Sequence, residues 1–416
     1  MTGVRPEPLQ SSGLFGWWFD GTAEGRRALI AAALGWMLDS FDVMLYALVL
    51  ASIMPDLGLS KEVAGLLGSV TLLAAAAGGI VFGVIADRFG RTRALMASVL
   101  IYSVFTAACG LAQSAVQLAV FRILLGIGMG GEWASGAALV SETWATEHRG
   151  KALGLMQSAW AIGYASAALV TMIVLPRWGW RAVFLIGILP AFLTLWVRAR
   201  VEEPKIWRDA PAARGSLRTI LSGGLARLTI PLTIMNAFTL FGWWGFNLWL
   251  PGYLSLPVSA GGMGFSAATM SWFVIAMQVG MWFGYVTFGF VSDVVGRKRT
   301  YIVYTCTAAV LIFLYISIRQ PAALLILGPF VAFFATGFFS GFGAVTAEIY
   351  PTEVRASAQG FTYNMGRVTS ALAPFVVGSL AQKHGFQAAL SLTSIAFLLA
   401  AATWIWIPET RGRPLK

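Results

Sequence analysis

Charge is what this 416-residue chain has least of: 11% of its residues are Asp, Glu, Lys or Arg, against 58% hydrophobic. A soluble protein carries roughly 25% charged residues, and water-soluble cores could not hide this much apolar surface. The chain therefore reads as an integral membrane protein. Cysteine and histidine are also scarce. Cys109 and Cys306 lie inside apolar runs at no metal-ligand spacing, so they read as free core thiols and no metal site is expected. His148 and His384 fall between apolar runs, which leaves no imidazole to carry protons at membrane depth. No glycine-rich phosphate loop ends in Lys-Ser or Lys-Thr, which argues against ATP-driven work. Nothing resembles an enzyme site, and no cofactor is expected. The net charge of +11 does not imply a nucleic-acid partner, because the basic residues gather in the segments between apolar runs rather than on one face.

A helical span needs about 20 apolar residues. Six such runs lie near 28–54, 62–86, 94–112, 116–141, 151–175 and 181–199, and six more near 227–255, 266–291, 300–318, 322–346, 357–381 and 386–407. Their length excludes the short alternating strands of a barrel. The expected organisation is a lead over 1–27, a six-helix bundle over 28–199, a linker over 200–226, a second bundle over 227–407 and a tail over 408–416. Arg88, Arg91, Arg93, Arg149, Lys151, Arg198, Arg200, Arg297, Lys298, Arg299 and Arg355 all fall on one side of this arrangement. Only Lys61, Arg177, Arg181, Arg319 and Lys383 fall on the other. By the positive-inside rule both termini are cytoplasmic. The first 25 residues have no apolar core with a small-residue cleavage site, so they read as a cytoplasmic lead rather than a signal peptide.

The chain is also internally duplicated. Gly83-Val-Ile-Ala-Asp87-Arg88-Phe-Gly90-Arg91-Thr-Arg93 returns 206 residues later (83 to 289) as Gly289-Phe-Val-Ser-Asp293-Val-Val-Gly296-Arg297-Lys-Arg299. Glu142 and Arg149 recur at the same offset as Glu348 and Arg355. Each Gly/Asp/Arg segment closes an apolar run. Its glycines allow a tight turn, its arginines stay in water, and its aspartate can accept from them. Duplicated membrane units are how many secondary transporters are built, with the substrate site between the halves.

On these motifs, with Arg122-x-x-x-Gly126-x-Gly128, Glu202-Glu203-Pro204 and Pro408-Glu409-Thr410-x-Gly412, the sequence resembles the major facilitator superfamily. The resemblance implies an all-α membrane protein of twelve transmembrane helices in two six-helix bundles that rock about a central site. Leu38-Asp39-Ser40-Phe41-Asp42, Gly130-Gly131-Glu132-Trp133 and Ser141-Glu142-Thr143-Trp144 are similar to the bacterial sialate and monocarboxylate:proton symporters, and next to the aromatic-acid:proton symporters. Asn236-Ala-Phe-Thr-Leu-Phe-Gly-Trp-Trp244 lacks the histidine of the fungal lactate permeases, which argues against lactate.

The duplication separates scaffold from chemistry. Scaffold residues should recur 206 positions away, whereas residues serving one substrate or ion need not. Asp39 maps onto Gly245, Asp42 onto Leu248, Arg122 onto Gly328, Glu132 onto Phe338 and Arg367 onto Ala161. Each intramembrane charge is thus unmatched, and each needs a partner or a wet cavity, since an unpaired charge in a bilayer is expensive. Asp39 and Asp42 are three residues apart and share a helix face. Two carboxylates in low dielectric do not both stay charged, so Asp39 and Asp42 are expected proton carriers, with Glu132 a further one. Arg122 lies about 15 Å along the same helix from Glu132, either a counter-ion to Asp39 or Asp42 or part of the substrate site. Arg367 offers a planar fork for a carboxylate, with Tyr363 and Asn364 within one turn. Gln157, Tyr164, Asn247 and Gln278 are the amide and phenol candidates at similar depth, beside Trp160, Trp243 and Trp282. The expected function is proton-coupled symport of a small organic anion across a bacterial inner membrane, by a chain working as a monomer in the bilayer. The alternative is proton-driven export. Exporters carry a Gly-Pro signature in the fifth helix, and Gly154–Gly163 contains no proline.

Overall fold

The computed structural model describes residues 16–203, 221–350 and 355–411. The lead before residue 16, residues 204–220 of the linker and 412–416 lie outside it, as do the side chains of Asp87, Arg88, Arg149 and Arg355. The described chain is helical apart from its turns. A short helix α1 (Gly16–Asp20) precedes α2 (Ala23–Asp56), α3 (Lys61–Phe89), α4 (Arg91–Cys109), α5 (Ala115–Thr143), α6 (Thr146–Ile186) and α7 (Ala191–Arg200). The second half holds α8 (Gly223–Ser255), α9 (Ala267–Val295), α10 (Arg297–Ser317), α11 (Pro321–Thr336), α12 (Phe339–Ile349), α13 (Arg355–Ser370) and α14 (Ala373–Thr403).

Among the described residues ten helical runs are long and apolar enough to cross a membrane. Two of them, Lys151–Thr194 and Ala358–Thr403, span 44 and 46 residues, twice what one crossing needs. Each is broken by a glycine in the left-handed region, Gly179 (φ 74°) and Gly385 (φ 81°), where the chain reverses without a loop. The ten runs therefore carry twelve crossings. Three crossings are also broken where the sequence predicts one helix. The sixth breaks before α7 at Pro190, and the eleventh breaks before Pro374, because proline lacks the N–H a helix needs. The tenth breaks at Gly337–Phe338, where Gly337 packs on the Gly284 carbonyl and the Tyr304 ring.

The repeat recurs at the corners of the two halves. Gly90 (φ 113°) and Gly296 (φ 112°) make the turns after α3 and α9. Ser60 and Ser266 cap the starts of α3 and α9 by accepting from Val63 N and Thr269 N. Arg91 pairs with Glu142 at 3.2 Å, and Arg297 with Glu348 at 3.1 Å. Glu203 accepts from the N–H groups of Thr92 and Arg93, and Glu409 from those of Arg297 and Lys298, so each half ends by capping its own third crossing. The copies are not identical. In the second half Arg297 donates to Ser292 Oγ at 2.7 Å, and Thr410 donates to Glu348 Oε2 at 2.6 Å. The matching positions in the first half are Ala86 and Pro204, which carry no hydroxyl.

Within each half α3 packs on α5, α2 on α6, and α9 on α11. The halves meet where α2 faces α8, α3 faces α14 and α6 faces α9. The corners at Gly90 and Gly296 lie at the same end of the bundle as residues 16–22 and 409–411, which we term the terminal face. There Trp17 and Trp18 pack at tilted angles against Trp144, whose indole N–H donates to the Gly25 carbonyl.

Candidate functional site

At the centre, between α2, α6, α8, α9 and α13, a cavity of about 30 Å³ is lined by Trp36, Gln157, Trp160, Trp243, Tyr285, Tyr363 and Arg367, among others. That volume holds a water or two, too little space for an organic acid. On the terminal-face side it is closed by Trp133 stacked on Tyr363 across the halves, with ring centres 4.7 Å apart and planes 16° apart. The Trp133 indole N–H also donates to Gln157 Oε1 at 3.4 Å. On the far side Tyr164 OH donates to the Asn247 carbonyl, again across the halves.

Arg367 is 3% exposed. Among the described residues its guanidinium makes no hydrogen bond and no ion pair, and the centre of the Tyr363 ring lies 5.9 Å from it. Its charge acts on two buried acids of the other half, Asp39 and Glu132, without salt-bridge contact to either. Asp39 Oδ2 and both oxygens of Glu132 and of Asp42 have no hydrogen-bond donor among the described residues. Glu132 rests against α2 at Gly35, where an added Cβ would meet Glu132 Oε1, so the glycine makes room for the carboxyl group. Tyr102 lies within electrostatic reach of Glu132, Asp39 and Asp42, and its hydroxyl donates weakly to the Gly35 carbonyl at 3.4 Å.

Of the residues singled out in the sequence, Gln157, Tyr363 and Arg367 line the cavity, Asp39 and Glu132 lie within the field of Arg367, and Asn364 sits beside Gly79. Others do not reach the cavity. Arg122 lies 3.7 Å over the Tyr46 ring and donates from Nε to the Leu67 carbonyl, and it pairs with neither Asp39 nor Asp42. Ten residues separate it from Glu132, and the helix turns it toward α2 and α3 instead. Gln278 lines a separate lateral cleft of about 600 Å³ between α6 and α9. Asn247 spends its amide N–H on the Trp243 carbonyl. Sequence reasoning missed Tyr102, Gly35 and Trp36. Trp36 was legible, since it precedes Asp39 by three residues and shares its face; Tyr102 lies on α4, which carries no intramembrane charge to mark it.

The sequence profile of the Major Facilitator Superfamily matches residues 32–262 and again 253–416. The chain is 35% identical over 403 residues to a putative metabolite transport protein of Haemophilus influenzae, covering 94% of this chain and 98% of that protein. It is 33% identical over 408 residues to a probable 4-methylmuconolactone transporter of Cupriavidus pinatubonensis, covering 96% and 94%. It is 29% identical over 376 residues to a sialic acid transporter of Escherichia coli, covering 89% and 91%. In fold it is similar to the crystal structure of a D-xylose-proton symporter, with a TM-score of 0.77 at 19% identity over 94% of this chain and 100% of that one. Two bundles related by one repeat are the architecture these matches share, and the chain belongs to the major facilitator superfamily and is a multi-pass membrane transporter rather than an enzyme.

Proposed function

We propose that this protein is a proton-coupled symporter for a small, flat, carboxylate-bearing metabolite in a bacterial inner membrane, with both termini in the cytoplasm. The observation that carries the reading is Arg367, a buried guanidinium with no anion paired to it among the described residues, set in a cavity walled by Trp36, Trp160, Trp243, Tyr285 and Tyr363. A desolvated Arg recovers its lost hydration from a carboxylate held by two parallel N–H···O bonds. Aromatic walls suit an unsaturated or cyclic body. The similarity to transporters named for a muconolactone and for sialic acid supports an organic-acid substrate.

Asp39 and Glu132 supply the coupling. Both are buried within the field of Arg367, and as anions they compete with the substrate for it. Binding a proton removes that competition and readies the arginine for the incoming anion. Release of both cargos on the other side restores the charges. Proton and substrate thus share one cation, which links their movements without a wire between separate sites. Asp42, beside them on α2, stores a further proton, and Arg122 tunes the outer part of the same helix pair.

Asp39→Asn and Glu132→Gln test this. Each keeps the side-chain shape and removes the titrating charge. Proton-driven accumulation should fall to the level of downhill flux, while exchange of substrate across the membrane continues. Accumulation against a gradient by both variants would refute the coupling.

A further inference from the structure

On the face opposite the termini the halves are zipped along one edge of α3. Lys61, Gly65 and Ser69 recur every four residues, with Gly68 beside the last, and meet α14. A Cβ on Gly65 would strike the Pro374 carbonyl, and Ser69 Oγ accepts from Phe375 N at 3.1 Å. At the outer end of this seam the Lys61 ammonium donates to the Ala260 carbonyl at 2.8 Å and reaches the Ala381 carbonyl at 3.5 Å. It also lies 4.9 Å from the centre of the Phe386 ring, while Lys61 N donates to Gln382 Oε1. All four partners belong to the second half. No carboxylate among the described residues pairs with Lys61.

We propose that Lys61 is the gating residue of the far-face seam, a cation that bridges the two halves through the carbonyl ends of helical segments. Ala260 closes a 3₁₀ turn, and Ala381 lies in the last turn before the break at Gly385. Carbonyls at such ends are short of helical donors and carry partial negative charge, so an ammonium suits both at once, and the ring face adds to it. The three groups come within reach of one Nζ only when the halves are shut. The repeat supplies a built-in comparison. Position 267, which matches Lys61, is Ala267, and the equivalent seam between α9 and α6 holds the 600 Å³ cleft instead of a cation.

The test needs no substrate, so it stands or falls separately from the proposed transport reaction. Spin labels are placed on the full-length protein at Gln113→Cys and Gln320→Cys, exposed far-face positions of the two halves, with Cys109 and Cys306 replaced by alanine. The distance distribution is read by pulsed dipolar spectroscopy. Lys61→Met keeps the stem and removes the donors, and Lys61→Gln keeps polarity without charge. Both should raise the long-distance population roughly tenfold, the scale of losing one charge-assisted hydrogen bond. Lys61→Arg, which can still reach the carbonyls, should restore the short distance. Distributions for Met and Gln that superimpose on the unsubstituted protein, in samples with its gel-filtration profile and melting behaviour, would overturn the proposal.

Discussion

A guanidinium buried to 3% exposure without an anion beside it is uncommon, because its lost hydration must be recovered from something. At Arg367 no described residue supplies that something, which is why we assign it to the substrate. Arg367→Lys should keep the charge and lose the fork. We expect the affinity for the transported acid to fall about tenfold or more, measured by equilibrium binding in detergent; an unchanged dissociation constant would remove Arg367 from the substrate site. The residue scale is also where sequence was least complete. It gives depth along a helix well, and Asp39, Glu132 and Arg367 met at one level. It gives rotation about the helix axis poorly. Arg122 and Gln278 lie at plausible depth but turn toward Tyr46 and toward the α6–α9 cleft. Nothing local to residue 122 says which neighbour its face will meet.

At the scale of single elements the third crossing of each half begins at a glycine with no side-chain cap of its own. The cap comes from the far end of that half. Glu409 receives N–H groups from Arg297, Lys298, Thr410 and Arg411 at 2.9–3.1 Å. Partial burial works to raise the Glu409 pKa, but those four donors outweigh it and hold the carboxyl below the ordinary glutamate range. A depressed folded-state value means the contribution is complete at neutral pH and fades as pH falls through that lower value. Glu409→Ala should therefore destabilise the protein by about 1 kcal/mol at neutral pH, the usual loss for a helix cap. The gap to the unsubstituted protein should narrow in acid, as read by thermal unfolding in detergent. Equal melting at neutral pH would show that the cap contributes nothing. The residues of this arrangement were visible in the sequence as a related ending of each half. Their contact with α4 and α10 was not, because more than a hundred residues separate the partners.

For the whole molecule, the duplication made the architecture legible. A repeat offset of 206 residues predicted two equivalent bundles, and the same offset relates the Gly179 and Gly385 breaks, the Ser60 and Ser266 caps and the two Arg–Glu corners. What the repeat could not predict is how the halves meet, since the seams are asymmetric: α3 and α14 are zipped, while α6 and α9 leave a cleft. The central cavity of about 30 Å³ is too small for an organic acid, and transport requires the Trp133–Tyr363 stack or the far-face seam to part. The central claim is that a proton and an organic anion move inward together through this centre. The most direct measurement uses liposomes containing the purified protein in a weakly buffered exterior. Aromatic, unsaturated and sugar acids are added one at a time while external pH is recorded, with protein-free liposomes as the control for passive permeation. The account predicts protein-dependent alkalinisation by at least one flat carboxylate, lost in Asp39→Asn and Arg367→Lys. External acidification, or no response from any acid with folded protein, would contradict it.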